Sequence, residues 1–175
     1  MKFEELPLKG AFVVSLEPRS DERGSFARTF CVDEFSRMGL EAEFPQHSLS
    51  VNLKSGTFRG MHFQKDPRAE VKLVRCLRGR AWDILLDLRK GSPTFKQWQT
   101  VELSAENRRA VYIPKGFAHG FLTLEDNTEL SYLISERYHP DLAAGVRWND
   151  PSFSIRLPEN PKVISPKDLE YPDYE

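Results

Sequence analysis

Few side chains in this sequence are equipped to move protons or hold metals: four histidines (His47, His62, His119, His139), two cysteines (Cys31, Cys76), and a scatter of tyrosines and carboxylates. His62 stands in "RGMHFQ", and three roles are open to it: metal ligand, catalytic base, or one more buried ring. A catalytic transition metal in a small barrel needs about three protein ligands with a position left open. The chain offers no His-x-His pair, and Glu70 is the acid weighed as a partner for His62. Nucleophilic triads lack their parts, since there is no G-x-S-x-G and neither cysteine lies beside a histidine in sequence. Gly-rich phosphate loops are absent as well. What remains is proton transfer by side chains, for which an imidazole that titrates near neutrality is the natural base.

Such groups work only if strands hold them on one face of a pocket. From Leu49 onward, short apolar runs recur between turn signals such as "SGTFRG", "LRGR", "RKGSPTF", "IPKG", "LEDN" and "WNDP". That spacing predicts an all-β antiparallel sandwich or barrel. Two short helices are expected. One lies in "VDEFSRMGL", with Asp33 as cap, Phe35 and Met38 on one face and Gly39 as stop. The other starts in "ISPKDLE", with Ser165 as N-cap, Pro166 at the first helical position and Asp168 near the positive end of the dipole.

The segment "VKLVRCLRGRAWDILLDLR" reads as a hairpin turning at Arg78 and Gly79. Val71, Leu73 and Arg75 would then oppose Leu86, Ile84 and Trp82, while Lys72 and Asp83 become diagonal neighbours on the other face. An amine and a carboxylate together on a half-apolar surface suit either a barrel interior that takes a polar ligand or an ordinary outward ion pair. Period-2 alternation also puts Phe117, His119, Phe121 and Thr123 on one side of a later strand, and Leu130, Tyr132 and Ile134 on one side of another.

The totals bound the rest. At 175 residues, one domain spanning 1–175 is expected. Lys plus Arg total 25 against 26 Asp plus Glu, so no basic field advertises nucleic acid or an anionic membrane. No run of ~18 apolar residues offers a membrane span, and "MKFEELPLKG" lacks the apolar stretch of a signal peptide, so a cytoplasmic protein with free thiols is expected.

Several separate motifs, in order from Asp21 to Asp168, then narrow the reading: "DERGSF", "GTFRGMHFQ", "EVKLVRCLRGRAWDILLDLRKGSPTFKQW", "LSAEN", "IPKGFAHGF", "RWNDP" and "SPKD". Together they resemble the dTDP-4-dehydrorhamnose 3,5-epimerase family. The resemblance implies a cupin-type jelly-roll barrel, a homodimer that exchanges N-terminal strands, and cofactor-free, metal-free epimerisation of a nucleotide-linked 4-keto-6-deoxy sugar. It implies His62 as base, Asp168 as the carboxylate that orients it, Tyr132 as acid, and Lys72 and His119 as groups near the sugar, with Asp83 paired to Lys72. It further implies Arg23 and Arg59 on the diphosphate, Phe26 and Gln46 near the nucleoside, and Tyr138 and Lys167 among the substrate contacts.

Two departures from the family pattern fall in the nucleotide-facing region. Where the family commonly reads "RGxFxE", this chain reads "RGSFAR", with Arg28 in place of the glutamate, and the familiar "QDN" is "QHS" from Gln46. A glutamate can accept the N3 hydrogen of thymine, whereas an arginine can only donate, as to cytosine or guanine. Arg28 is therefore a candidate base contact, and a CDP- or GDP-linked keto sugar stands beside the thymidine-linked default. A metal-dependent cupin enzyme and a non-catalytic sugar-nucleotide binder are the remaining alternatives.

Overall fold

The computed structural model describes all 175 residues. Its strands, in chain order, are β1 (Lys2–Glu5), β2 (Phe12–Ser15), β3 (Arg19–Asp21), β4 (Gly24–Phe26), β5 (Gln46–Asn52), β6 (Thr57–Gln64), β7 (Lys72–Arg78), β8 (Arg80–Asp87), β9 (Trp98–Ser104), β10 (Ala110–Ile113), β11 (Phe117–Thr123), β12 (Thr128–Ile134), β13 (Ala143–Gly145) and β14 (Val163–Ile164). Helices α1 (Val32–Arg37) and α2 (Pro166–Leu169) are each under two turns.

Two sheets account for nearly all of this. One runs β1-β2-β10-β7-β12-β5 and the other β13-β6-β11-β8-β9, with β14 added parallel to β6 and every other pairing antiparallel. The largest apolar cluster draws Val74, Val111 and Leu130 from the first sheet and Leu85, Leu103 and Phe121 from the second, so it lies between them. Each sheet also buries its outer face: the first under Phe35 of α1 with Leu73 and Tyr112, the second under Val146, Phe153 and Ile155 of the C-terminal segment. The result is an antiparallel barrel, as the turn spacing predicts, in the cupin-type jelly-roll form that the family resemblance implies. No helix is long and apolar enough to cross a membrane.

The predicted hairpin between β7 and β8 is corrected. The two strands are consecutive but enter opposite sheets, β7 pairing with β10 and β12, and β8 with β9 and β11. Alternation tells which side chains point inward but not which sheet a strand joins. Val71 and Leu73 therefore pack outward with the α1 cluster, and Ile84 and Leu86 outward with the C-terminal one. In α1 the N-cap is Cys31, with no side-chain bond, rather than Asp33, which sits in the first turn. Phe35 is fully buried while Met38 is exposed, so the two do not share a buried face. In α2 the expectation holds, since Ser165 accepts from the Asp168 N–H and Pro166 opens the helix. The β3–β4 hairpin forms its own two-stranded sheet, with Phe26 at its end 79% exposed.

Candidate active site

The site begins with two neighbouring strands of the second sheet. In the β6–β11 ladder His62 lies directly opposite His119, so both imidazoles leave the sheet on its inner face. A close approach of the two backbones makes this possible: a Cβ added to Gly60, whose φ is +143°, would fall 2.5 Å from the Gly120 Cα.

His62 meets Asp168 at 2.7 Å from Nε2 to Oδ1, and the Gly60 N–H donates to the other carboxylate oxygen at 3.3 Å. Burial works to raise the Asp168 carboxyl, but the bonds from His62 and Gly60 and the His62 charge outweigh it, leaving the group below its ordinary range. An ionised Asp168 accepts from Nε2–H and so leaves the lone pair on Nδ1. The His62 side chain is 42% accessible and lines the cavity, so a ligand can reach the ring.

Across the barrel, Tyr132 projects from β12 of the first sheet. Its ring keeps some accessible surface at the cavity while protein encloses it elsewhere. Burial first, and then the negative charge of Asp83, hold its phenol well above the usual range, with Arg59 opposing, so the hydroxyl keeps its proton at neutral pH. The Tyr132 and His119 rings stand edge to face at 5.9 Å. His62, His119 and Tyr132 line one cavity of about 440 Å³, with Gln46, Arg59, Glu70, Lys72 and Tyr138 among its polar residues.

Lys72 is the second correction. Its ammonium donates to the His62 carbonyl at 3.2 Å and pairs with Glu70 at 2.9 Å, not with Asp83. Asp83 is fully buried and bonds the His119 Nε2 at 2.8 Å. Both residues do face the barrel interior, but from opposite sheets. Glu70, read from the sequence only as a metal partner for His62, lies two positions before Lys72 in the loop that leads into β7 and joins the cavity lining.

Among the other expected contacts, Arg59 reaches the cavity with its Nε donating to Asn52 Oδ1 at 2.8 Å. Gln46 accepts from the Tyr138 N–H at 3.1 Å. Lys167 lines an adjoining recess of about 220 Å³ beside His62, Glu70 and Tyr138. Three expected contacts are not brought to the cavity within this chain. Arg23 is exposed and pairs with Asp21 at 2.6 Å, Phe26 is at the open end of the hairpin, and Arg28 pairs with Glu34 at 3.1 Å. No three His, Cys, Asp or Glu side chains converge as a metal site would require.

Comparison with known proteins gives this geometry its context. The sequence model of a family described as dTDP-4-dehydrorhamnose 3,5-epimerase matches residues 5–175. A protein of that name from Methanothermobacter thermautotrophicus is 42% identical over 170 residues, covering 95% of this chain and 91% of its own. The crystal structure of a dTDP-4-dehydrorhamnose 3,5-epimerase from Bacillus anthracis, with TDP and PPi bound, superposes with a TM-score of 0.95 at 39% identity, covering 99% of both chains. A dTDP-6-deoxy-D-glucose-3,5-epimerase from Legionella pneumophila, in complex with dTDP-4-keto-L-rhamnose, gives 0.90 at 33% identity over 99% of this chain and 98% of that one.

Proposed function

The chain belongs to the dTDP-4-dehydrorhamnose 3,5-epimerase family, and from that premise we infer an isomerase that inverts carbons beside the ketone of a dTDP-linked 4-keto-6-deoxyhexose, with the cavity between the two sheets as its active site. A ketone acidifies the hydrogens on its neighbouring carbons. His62 Nδ1 takes one of them: the C–H bond breaks, its electron pair moves into the ring as the enolate, and charge collects on the ketone oxygen. Lys72 supplies a cationic donor that stabilises that oxygen, and His119, whose Nε2–H is taken by Asp83, joins it through Nδ1 only as the imidazolium. Tyr132 then gives its proton to the opposite face of the carbon, the enolate collapses, and the configuration is inverted. Solvent resets the phenolate and the imidazolium. One observation carries this reading: base and acid project from facing sheets into a single cavity, as a two-sided proton transfer requires.

The alternative of a CDP- or GDP-linked sugar rested on Arg28. That guanidinium pairs with Glu34 in this chain, and the solved relatives that hold TDP or a dTDP-sugar support the thymidine-linked default. Competitive binding of dTDP, UDP, CDP and GDP tests it, and a clear preference for CDP or GDP would reverse the choice.

The nucleotide end is completed, in this reading, by a second copy of the chain. Arg23 and Phe26 sit on a hairpin that stands apart from both sheets, while edge strand β5 exposes Leu49 and Val51 at the cavity. Exchange of N-terminal elements in a homodimer would bring one copy's hairpin to the other's cavity. Light scattering on a size-exclusion column should return a dimer mass. Two free thiols accord with a reducing compartment such as the cytoplasm.

The deciding experiment is incorporation of solvent deuterium from D2O into dTDP-4-keto-6-deoxyglucose. Wild type should label C3, C5 or both, and His62→Ala should slow labelling by roughly a thousandfold or more, near the upper part of what a positioned base contributes. Equal labelling by wild type and the variant would remove His62 from the role of base.

A further inference from the structure

The C-terminal residues 169–175 follow Asp168 directly and carry no motif, yet one of them, Tyr171, returns to the site. The Tyr171 ring stands edge to face on His62, with centroids 6.4 Å apart and planes at 68°. It also closes the recess that His62 shares with Glu70, Tyr138 and Lys167. A cradle of small residues accommodates it. Strand β13, Ala143–Gly145, runs beside β6 with Gly145 opposite His62, and a Cβ added to Gly145 would lie 2.4 Å from the Tyr171 ring. The ring occupies the space that any larger residue at 145 would take.

The rest of the tail fixes that ring in place. Asp173 pairs with Arg147, the Tyr174 N–H donates to Asp150 Oδ2 at 2.8 Å, and the Tyr174 ring packs on Phe153 at 5.1 Å. His62 needs such a neighbour. With much of its side chain open to the cavity, its named polar contact is the one at Nε2, which leaves rotation about the side chain restrained from one end only. The Tyr171 phenol is raised, first by burial and then by the charge of Asp168, so it offers His62 a neutral surface.

We propose that Tyr171 is a positioning residue: its ring, seated on Gly145 and anchored by the tail, holds the His62 imidazole against Asp168 with Nδ1 aimed into the cavity. The proposal rests on His62 being the base, and its test separates the two claims. Three variants are compared, Tyr171→Ala, Tyr171→Phe and Gly145→Ala, the last displacing the ring without altering it.

Loss of Tyr171 should lower kcat for epimerisation roughly tenfold, a misplacement effect, while KM stays within about twofold. Gly145→Ala should behave like Tyr171→Ala, and Tyr171→Phe should restore wild-type turnover. In parallel, 15N–1H spectra of the free protein, with the His62 signals assigned from their loss in His62→Ala, should show one tautomer in wild type and Tyr171→Phe. They should show averaged ring-nitrogen shifts in Tyr171→Ala and Gly145→Ala. This arm needs no substrate, so it stands even if wild type fails to exchange deuterium. An unchanged kcat and unchanged ring spectrum in Tyr171→Ala would overturn the proposal. So would equal damage from Tyr171→Phe, which would assign the hydroxyl instead of the ring, or a loss confined to KM, which would make the tail a substrate wall. If Tyr171→Ala fails to fold, Gly145→Ala decides on the same readings.

Discussion

Two histidine–aspartate pairs sit on adjacent strands of one sheet, His62 with Asp168 at 2.7 Å and His119 with Asp83 at 2.8 Å. Each has a carboxylate on Nε2 and the other nitrogen free, so composition alone cannot rank them. Surroundings do. The His62 side chain is 42% accessible and that of His119 4%. Asp168 comes from a helix outside the barrel and has the Gly60 N–H as a further donor, whereas Asp83 comes from inside it and leaves Oδ1 unpartnered. The first pair is open to the cavity. The other places a buried carboxylate, with one oxygen unpartnered, beside His119 and Tyr132, where its charge raises the Tyr132 phenol.

Breaking the first pair should have the larger effect. Asp168→Asn leaves a side chain that can still touch His62 but no longer favours the tautomer with Nδ1 free, and epimerisation should fall by about a hundredfold or more. Steady-state rates at saturating substrate check this, and a loss below threefold would detach Asp168 from catalysis. Tyr132→Phe should come next and differ in kind. The base can still remove and return a proton on its own face, so deuterium should enter the substrate while inversion drops roughly a hundredfold. NMR of labelled product distinguishes the two, and inversion at the wild-type rate would displace Tyr132 as the acid.

Asp83→Asn should cost less, roughly three- to tenfold in turnover, with a directional signature. Burial and the Asp83 charge both raise the Tyr132 phenol. Removing the charge lets it fall, so the alkaline decline in activity should begin at lower pH than in wild type. A decline that stays in place would mean that Asp83 does not act on Tyr132.

Asp87 provides a control carboxylate without a histidine. Burial works to raise it, but Arg89, Ser92 and Thr94 bond it strongly enough to lower it from 3.8 to about 2. A carboxyl lowered on folding contributes stability above its unfolded value and loses that contribution as pH falls through the folded one. Wild type should therefore lose about 2 kcal/mol from this group between about pH 4 and pH 2. Asp87→Asn should melt lower at neutral pH, show a flatter profile across that window in thermal scans, and keep its turnover. Parallel wild-type and variant profiles would contradict this assignment.

What could be read in advance follows from the range of each signal. Turn residues and alternation are local, so the all-β architecture, the short α2 cap, and the inward faces of β11 and β12 were legible. Sheet membership is not local, and β7 and β8 were placed in one hairpin although the chain crosses the barrel between them. Lys72 and Asp83 take the inward one of the two placements their pattern leaves open, but each pairs with another residue. Asp168 lies 106 residues from His62 and could be reached only through family resemblance. Glu70 sits in the loop before β7, where strand alternation does not reach, so its pairing with Lys72 was not legible. Tyr171 had no pattern to announce it, because its seat depends on the missing side chain of Gly145.

The separate β3–β4 hairpin has a consequence for how such a protein can drift over time. Within one chain, Arg23 and Phe26 on the hairpin, and Arg28 just beyond it, touch none of the residues that handle the proton. Substitutions there can therefore occur without disturbing the packing of His62, Asp168 or Tyr132.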